Sequence, residues 1–272
     1  MRKFLHRTAA FVVRDFRIAT SYKLQFLFRL LGVFFVLATF YFISKLIDHD
    51  AANQALAEYD TDYFSFVLIG VAANGLLLVG LSGFAEQLRI SMTEGSLEAM
   101  FATPTRPFWI LAMPCLWQFS FEAFKSLVIV AFGVFLFGVD VSGANWFGCV
   151  VILVLTLAAY SVFGLLSAGI IMIVKRGDPI NWAFAHASGL LAGAYFPIAL
   201  LPSWLEVISR ALPMTYAYHA LRMTLLTGAG LGEIWTDVLV LLCFTLVGLP
   251  IAIGVCQVAV VIAKREGTLG TF

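Results

Sequence analysis

Six runs of apolar residues, at 26–47, 63–84, 108–137, 146–174, 182–201 and 237–263, are separated by short polar joints. A helix crosses a hydrocarbon core of ~30 Å with about 20 residues, and every run reaches that length. In lipid each backbone N–H and C=O must be paired within the protein, which leaves helices or closed barrels. Unbroken runs of this length fit helices. The pattern therefore predicts an all-α membrane protein with six transmembrane helices. The run 108–137 is longer than a bilayer needs, so it is expected to tilt or to extend beyond the core. Gly70, Gly75, Gly80 and Gly83 in the second run suit close helix packing.

The joints carry patterns of their own. In 1–24, Lys3, Arg7, Arg14 and Arg17 share one helical face and Ala9, Val12, Val13 and Phe16 share another. This is the pattern of an amphipathic helix lying on an anionic leaflet, with a plain basic tail as the alternative. In 91–104, Ser91-x-x-Glu94 has the form of a capping box, and Leu97, Met100 and Phe101 fall on one face. Pro104 disfavours helix at Thr103, so a short helix outside the bilayer is expected between spans two and three. In 202–236, Pro202, Pro213, Gly228, Gly230 and Gly232 break the chain into apolar pieces, 205–212 and 215–226, too short to cross. They suit a re-entrant or interfacial helical hairpin before the last span, with Trp204, Tyr216, Tyr218 and Trp235 as an aromatic belt.

Composition excludes a soluble protein. Of the 272 residues 61% are hydrophobic and 12% charged, and the mean hydropathy is +0.96. Soluble chains carry about 25% charged residues. One transmembrane domain, 1–272, is expected, without a separate soluble domain or internal repeat. The first apolar run has no small-residue cleavage site and reads as a retained span, not a signal peptide. The net charge of +1 conceals an asymmetry. Thirteen of the 17 Lys and Arg lie in 2–29, 89–106, 175–176 and 264–265, all on one side of a six-span topology. The positive-inside rule makes both termini cytoplasmic, in a plasma (inner) membrane. Cys115, Cys149, Cys243 and Cys256 lie within apolar runs and read as small hydrophobes. No two of His6, His49, His186 and His219 have metal-ligand spacing, so no metal is assigned.

Two stretches resemble a known family. Glu94-Gly-Ser-Leu-Glu-Ala-Met-Phe-Ala-Thr-Pro-Thr-Arg resembles the E-G-T-L-E-x-L-x-x-T-P segment of type-2 ATP-binding-cassette (ABC) transporter permeases. Gly193-Ala-Tyr-Phe-Pro-Ile-Ala-Leu-Leu-Pro-Ser-Trp-Leu, followed by Leu212-Pro-Met-Thr-Tyr-Ala, resembles that family's signature near the fifth span. Ser96 stands where the family often has Thr, and keeps the hydroxyl. The resemblance implies a membrane subunit that pairs with a second copy or a related permease, each docking one separate ABC ATPase subunit. It implies that Glu94, Gly95, Ser96, Leu97, Glu98, Met100, Phe101 and Thr103 form the coupling helix seated on that ATPase. Residues 202–236 would be the outer re-entrant helices, with Phe196, Pro197, Pro202, Trp204, Pro213 and Tyr216 at the outer gate. The chain has no G-x-x-x-x-G-K-[ST] loop, so ATP and Mg²⁺ are expected on the partner and no cofactor on this chain. Membrane lipids are expected partners, and nucleic acid is not.

The remaining candidates stay open. Glu122 and Lys125, three apart inside the third run, can pair on one helix face. Ionised groups at that depth are costly and face protein or a water-filled cavity, either as pathway contacts or as a packing pair. His186 is a second pathway candidate or a packing histidine. Lys175, Arg176 and Asp178 form a second cytoplasmic contact or a topology-setting loop. The resemblance implies ATP-driven export of a lipid, glycan or hydrophobic small molecule. A proton-coupled secondary transporter using Glu122 is the alternative.

Overall fold

The computed structural model describes residues 23–47, 55–93, 95, 107–174, 185 and 189–265. All regular elements among them are helical: α1 (Lys23–Leu46), α2 (Tyr63–Thr93), α3 (Pro107–Phe137), α4 (Trp146–Val174), α5 (Ser203–Ala211), α6 (Pro213–Arg222) and α7 (Trp235–Arg265). Short 3-10 turns cover Ala57–Tyr59 and Ile198–Leu200, and a π turn, Met223–Thr227, continues α6. Helices α2, α3, α4 and α7 are long and apolar enough to cross a membrane. Within α1 the apolar stretch Leu31–Leu46 is shorter. The described residues thus carry four of the six expected spans as full-length apolar helices.

Helix α2 is the axis of the fold. Its most apolar stretch is 72% buried, against 11% for α3 and α7. It packs along α3 and α4, while α7 lies along α4 and α1 touches α2 and α3 more lightly. A polar residue starts α2: Asp62 accepts hydrogen bonds from the Phe64 N–H, at 3.2 Å, and from the Ser65 hydroxyl. Asn145 does the same for α4, its Oδ1 accepting the Gly148 N–H at 3.0 Å. It also stitches two loops together, because its Nδ2 donates to the Ala229 carbonyl (3.1 Å) and its N–H to the Thr224 carbonyl (2.8 Å).

Three expectations are corrected here. Helix α2 does not stop near 84 but runs to Thr93, so Ser91 lies within it, and its hydroxyl donates back to the Gln87 carbonyl at 2.9 Å. The chain turns at Gly95, whose left-handed φ of 68° lets its N–H reach the Met92 carbonyl at 3.1 Å. The fifth apolar run does not continue as helix to 201. Its described helical residues end at 191, and a turn at Gly193 (φ 81°) followed by Pro197 replaces the rest. Tyr218 is not part of an aromatic belt. It is 1% exposed and donates to Asn74 Oδ1 at 3.0 Å, while Trp204 and Trp235 are exposed as a belt requires.

The two short helices form a locked corner. Pro213 occupies the first turn of α6, where its missing N–H costs nothing. The Thr215 hydroxyl donates to the Ser209 carbonyl at 2.6 Å, and the Tyr216 hydroxyl to the Arg210 carbonyl at 2.9 Å.

Candidate functional site

Polar side chains gather in two places, one within the membrane-spanning helices and one beside α5 and α6. The first is a seam between α2 and α3. Glu122 and Lys125 form the ion pair that their spacing predicts, with side chains only 16% and 24% exposed. Glu122 Oε2 lacks a well-aligned hydrogen bond, so the contact is mainly electrostatic. The pair fits because α2 has no side chain opposite it. A Cβ on Gly75 would lie 2.5 Å from Glu122 Oε2 and 3.4 Å from Lys125 Nζ. One turn further along α3, the Ser126 hydroxyl donates to the Ala72 carbonyl at 2.6 Å. One turn earlier, Gln118 lies against Gly83. Gly75 and Gly83 on α2 therefore admit a polar stripe from α3, while Gly80 gives the close helix packing that the glycine spacing suggests: a Cβ on Gly164 of α4 would lie 2.5 Å from the Gly80 oxygen. Beside the stripe is a cavity of about 440 Å³ bounded by α1, α2 and α3, with Glu86, Trp117, Gln118, Glu122 and Lys125 on its wall.

The second place is a pocket of about 320 Å³ lined by Glu58, Pro197, Tyr216, His219, Arg222 and Asp237, among others. Arg222 is its floor and is 2% exposed. Its Nε donates to the Phe66 carbonyl at 3.1 Å, and its two Nη atoms donate to the Gly193 and Ala194 carbonyls at 2.8 Å each. Its guanidinium carbon sits 3.4 Å from the centroid of the Phe66 ring. One side chain thus ties α6 to α2 and to the 193–194 turn. Gly70 makes room for it, since a Cβ there would lie 1.9 Å from the Ala194 oxygen and 2.7 Å from an Arg222 nitrogen. Burial pulls the guanidinium down to about 10, against the pull of Tyr59 and Tyr218, which leaves it charged at neutral pH.

His219 bridges two carboxylates at the mouth. Nδ1 is 2.8 Å from Asp237 Oδ2, at the start of α7, and Nε2 is 3.2 Å from Glu58 Oε1. The Asp237 hydrogen bond raises its pKa above the ordinary value, burial opposes this, and Glu58 adds to the rise. The protonated ring can donate to both oxygens at once. Tyr59 closes the pocket on the Arg222 side, and its own burial pushes the phenol up to about 12.

Of the candidate residues, the structure places Pro197 and Tyr216 on the pocket and buries Pro213 beside it. It leaves Pro202 and Trp204 exposed, and Phe196 half-buried outside the lining. Gly95 is an exposed turn. Glu94, Ser96, Leu97, Glu98, Met100, Phe101 and Thr103 lie outside the described residues, as do Lys175, Arg176, Asp178, His186 and the amphipathic segment 1–22. Sequence reasoning missed Arg222, counting it only as one more cation. Its signal was present: a lone Arg between Leu221 and Met223 must find partners or water.

A family model described as ABC-2 type transporter matches residues 7–226. No curated protein matches the chain.

Proposed function

Because the chain belongs to the ABC-2 type transporter family, whose model covers most of its length, we propose that it is the membrane subunit of an ATP-driven exporter. In this reading two permeases pair, as identical copies or as relatives, in the plasma (inner) membrane. The chain crosses it six times, and both termini are cytoplasmic. The family match carries the reading. Each subunit docks a separate ATPase that holds ATP and Mg²⁺. The segment 94–103 carries the docking helix, and Lys175, Arg176 and Asp178 form a second contact. The segment 1–24 lies on the inner leaflet, and the corner made by α5 and α6 belongs to the outer gate. The cargo is a lipid, a glycan or a hydrophobic small molecule.

Helix α2 supports this mechanism by its continuity. It runs unbroken for 31 residues, about 46 Å, and ends two residues before Gly95. Its other half holds the Phe66 carbonyl on Arg222, Gly70 beside the 193–194 turn and Asn74 on the Tyr218 hydroxyl. A push at the cytoplasmic end therefore reaches the pocket through one stiff element. ATP binding shifts the balance between two such arrangements by closing the ATPases on the docking helices. The proton-driven alternative through Glu122 is weaker, because that carboxylate is already matched by Lys125.

Charge reversal at Glu94 and Glu98 tests the proposal. The complex should still assemble with its ATPase, while ATP hydrolysis no longer drives transport. Normal coupling in that variant, or no ATPase co-purifying with the wild-type chain, would overturn it.

A further inference from the structure

We infer that the cavity between α1, α2 and α3 is a side port that takes an amphiphilic cation from the inner leaflet, which names the cargo class for the permease reading above. The inference rests on where the cavity lies and on what lines it. Counted along α2 from Tyr63, Gly75 is about 18 Å in, Ser82 about 28 Å and Glu86 about 34 Å. With Tyr63 at the outer boundary of a ~30 Å core, the cavity runs from mid-membrane to the inner boundary. Val33 is its wall on α1, the long helix that packs least closely on the rest. A lipid-dissolved molecule meets such a site sideways, without passing through water.

The lining selects charge sign. The wall carries two carboxylates, Glu86 and Glu122, against one ammonium, Lys125. Glu122 and Lys125 neutralise one another. That leaves Glu86 at the inner mouth, 3.9 Å from Arg89, with both side chains about half exposed. Its charge is available to a guest. Trp117 and Phe121 stand on the same wall with ring centroids 6.2 Å apart. Aromatic faces with a neighbouring carboxylate attract a cation and repel an anion. Val33 and Val79 supply apolar contact for its body. The volume, about 440 Å³, falls within the range that small-molecule sites occupy.

The test uses two probes of the same bulk and opposite charge. Tetraphenylphosphonium and tetraphenylborate are titrated onto the purified permease in lipid nanodiscs, with empty nanodiscs subtracted and no ATPase present. The cation should bind saturably and the anion should not. Glu86→Gln, a change at a solvent-accessible position, should weaken cation binding about tenfold, and Trp117→Ala should do the same while Trp117→Phe retains binding. Glu122→Gln leaves Lys125 facing the cavity unmatched and should abolish binding. Equal or stronger binding of tetraphenylborate, or cation binding unmoved by Glu86→Gln, would overturn the inference. Neither result would touch the permease reading, which stands or falls on ATPase co-purification and coupling.

Discussion

Replacing Arg222 by Lys keeps the charge and removes the fork, so it isolates what the planar guanidinium contributes. Arg222 directs three donors at three carbonyls, those of Phe66, Gly193 and Ala194, at 3.1, 2.8 and 2.8 Å. A lysine ammonium is a single point on a flexible stem and reaches one of these in place of three. Hydrogen bonds to a charged group contribute about 1.5–3 kcal/mol each, so losing two costs about 3–6 kcal/mol. Nothing offsets the loss, because the ammonium is still buried. Arg222→Met leaves the same carbonyls short of donors but also removes the buried charge, so it should be the milder change. The expected order of stability is wild type, then Met, then Lys. Unfolding in mixed micelles, titrated with SDS and followed by circular dichroism, gives the three free energies. A Lys variant within about 1 kcal/mol of wild type would refute the argument that the fork holds α6 to α2.

Two further outcomes follow from the same geometry. The His219 pKa is raised in the folded protein, so its bridge to Asp237 and Glu58 contributes fully below the unfolded value of about 6.5 and is lost as pH rises through the folded value. The melting temperature should therefore fall between pH 6 and pH 8, and His219→Gln should flatten that slope; an unchanged slope would exclude the bridge as its cause. Gly75→Ala places a methyl 2.5 Å from Glu122 Oε2 and forces the ion pair aside. It should cost about 1–3 kcal/mol in the same SDS titration and weaken tetraphenylphosphonium binding, whereas Gly232→Ala, in open space, should do neither.

Much of the architecture was legible from hydropathy because a helix in lipid is dictated by backbone chemistry. The run 146–174 reappears as α4 with the same ends, and 108–137 as α3 with one residue added. The Glu122–Lys125 pair was legible because three residues on one helix fix the distance between them. What hydropathy could not carry was the end of the fifth run. Residues 192–201 are as apolar as a span, and only the left-handed Gly193 and the following Pro197 turn them aside. Tyr218 was misplaced for a related reason. A tyrosine at a membrane boundary and a tyrosine bonded to Asn74 across 144 residues have the same local sequence. Arg222 depends on carbonyls 28, 29 and 156 residues earlier, and carbonyl positions leave no mark on side-chain pattern.

The direction of those links has a consequence for biosynthesis. Phe66, Gly193 and Ala194 are all translated before Arg222, so when the ribosome delivers this arginine its acceptors are already made. The arginine's hydrogen bonds need nothing downstream. His219 differs: Glu58 precedes it by 161 residues, but Asp237 follows it by 18 and enters only with the first turn of α7. The arginine can dock while the chain is still growing. The histidine clasp closes only once α7 has begun to emerge, so the two links of α6 form in a fixed order, arginine before histidine.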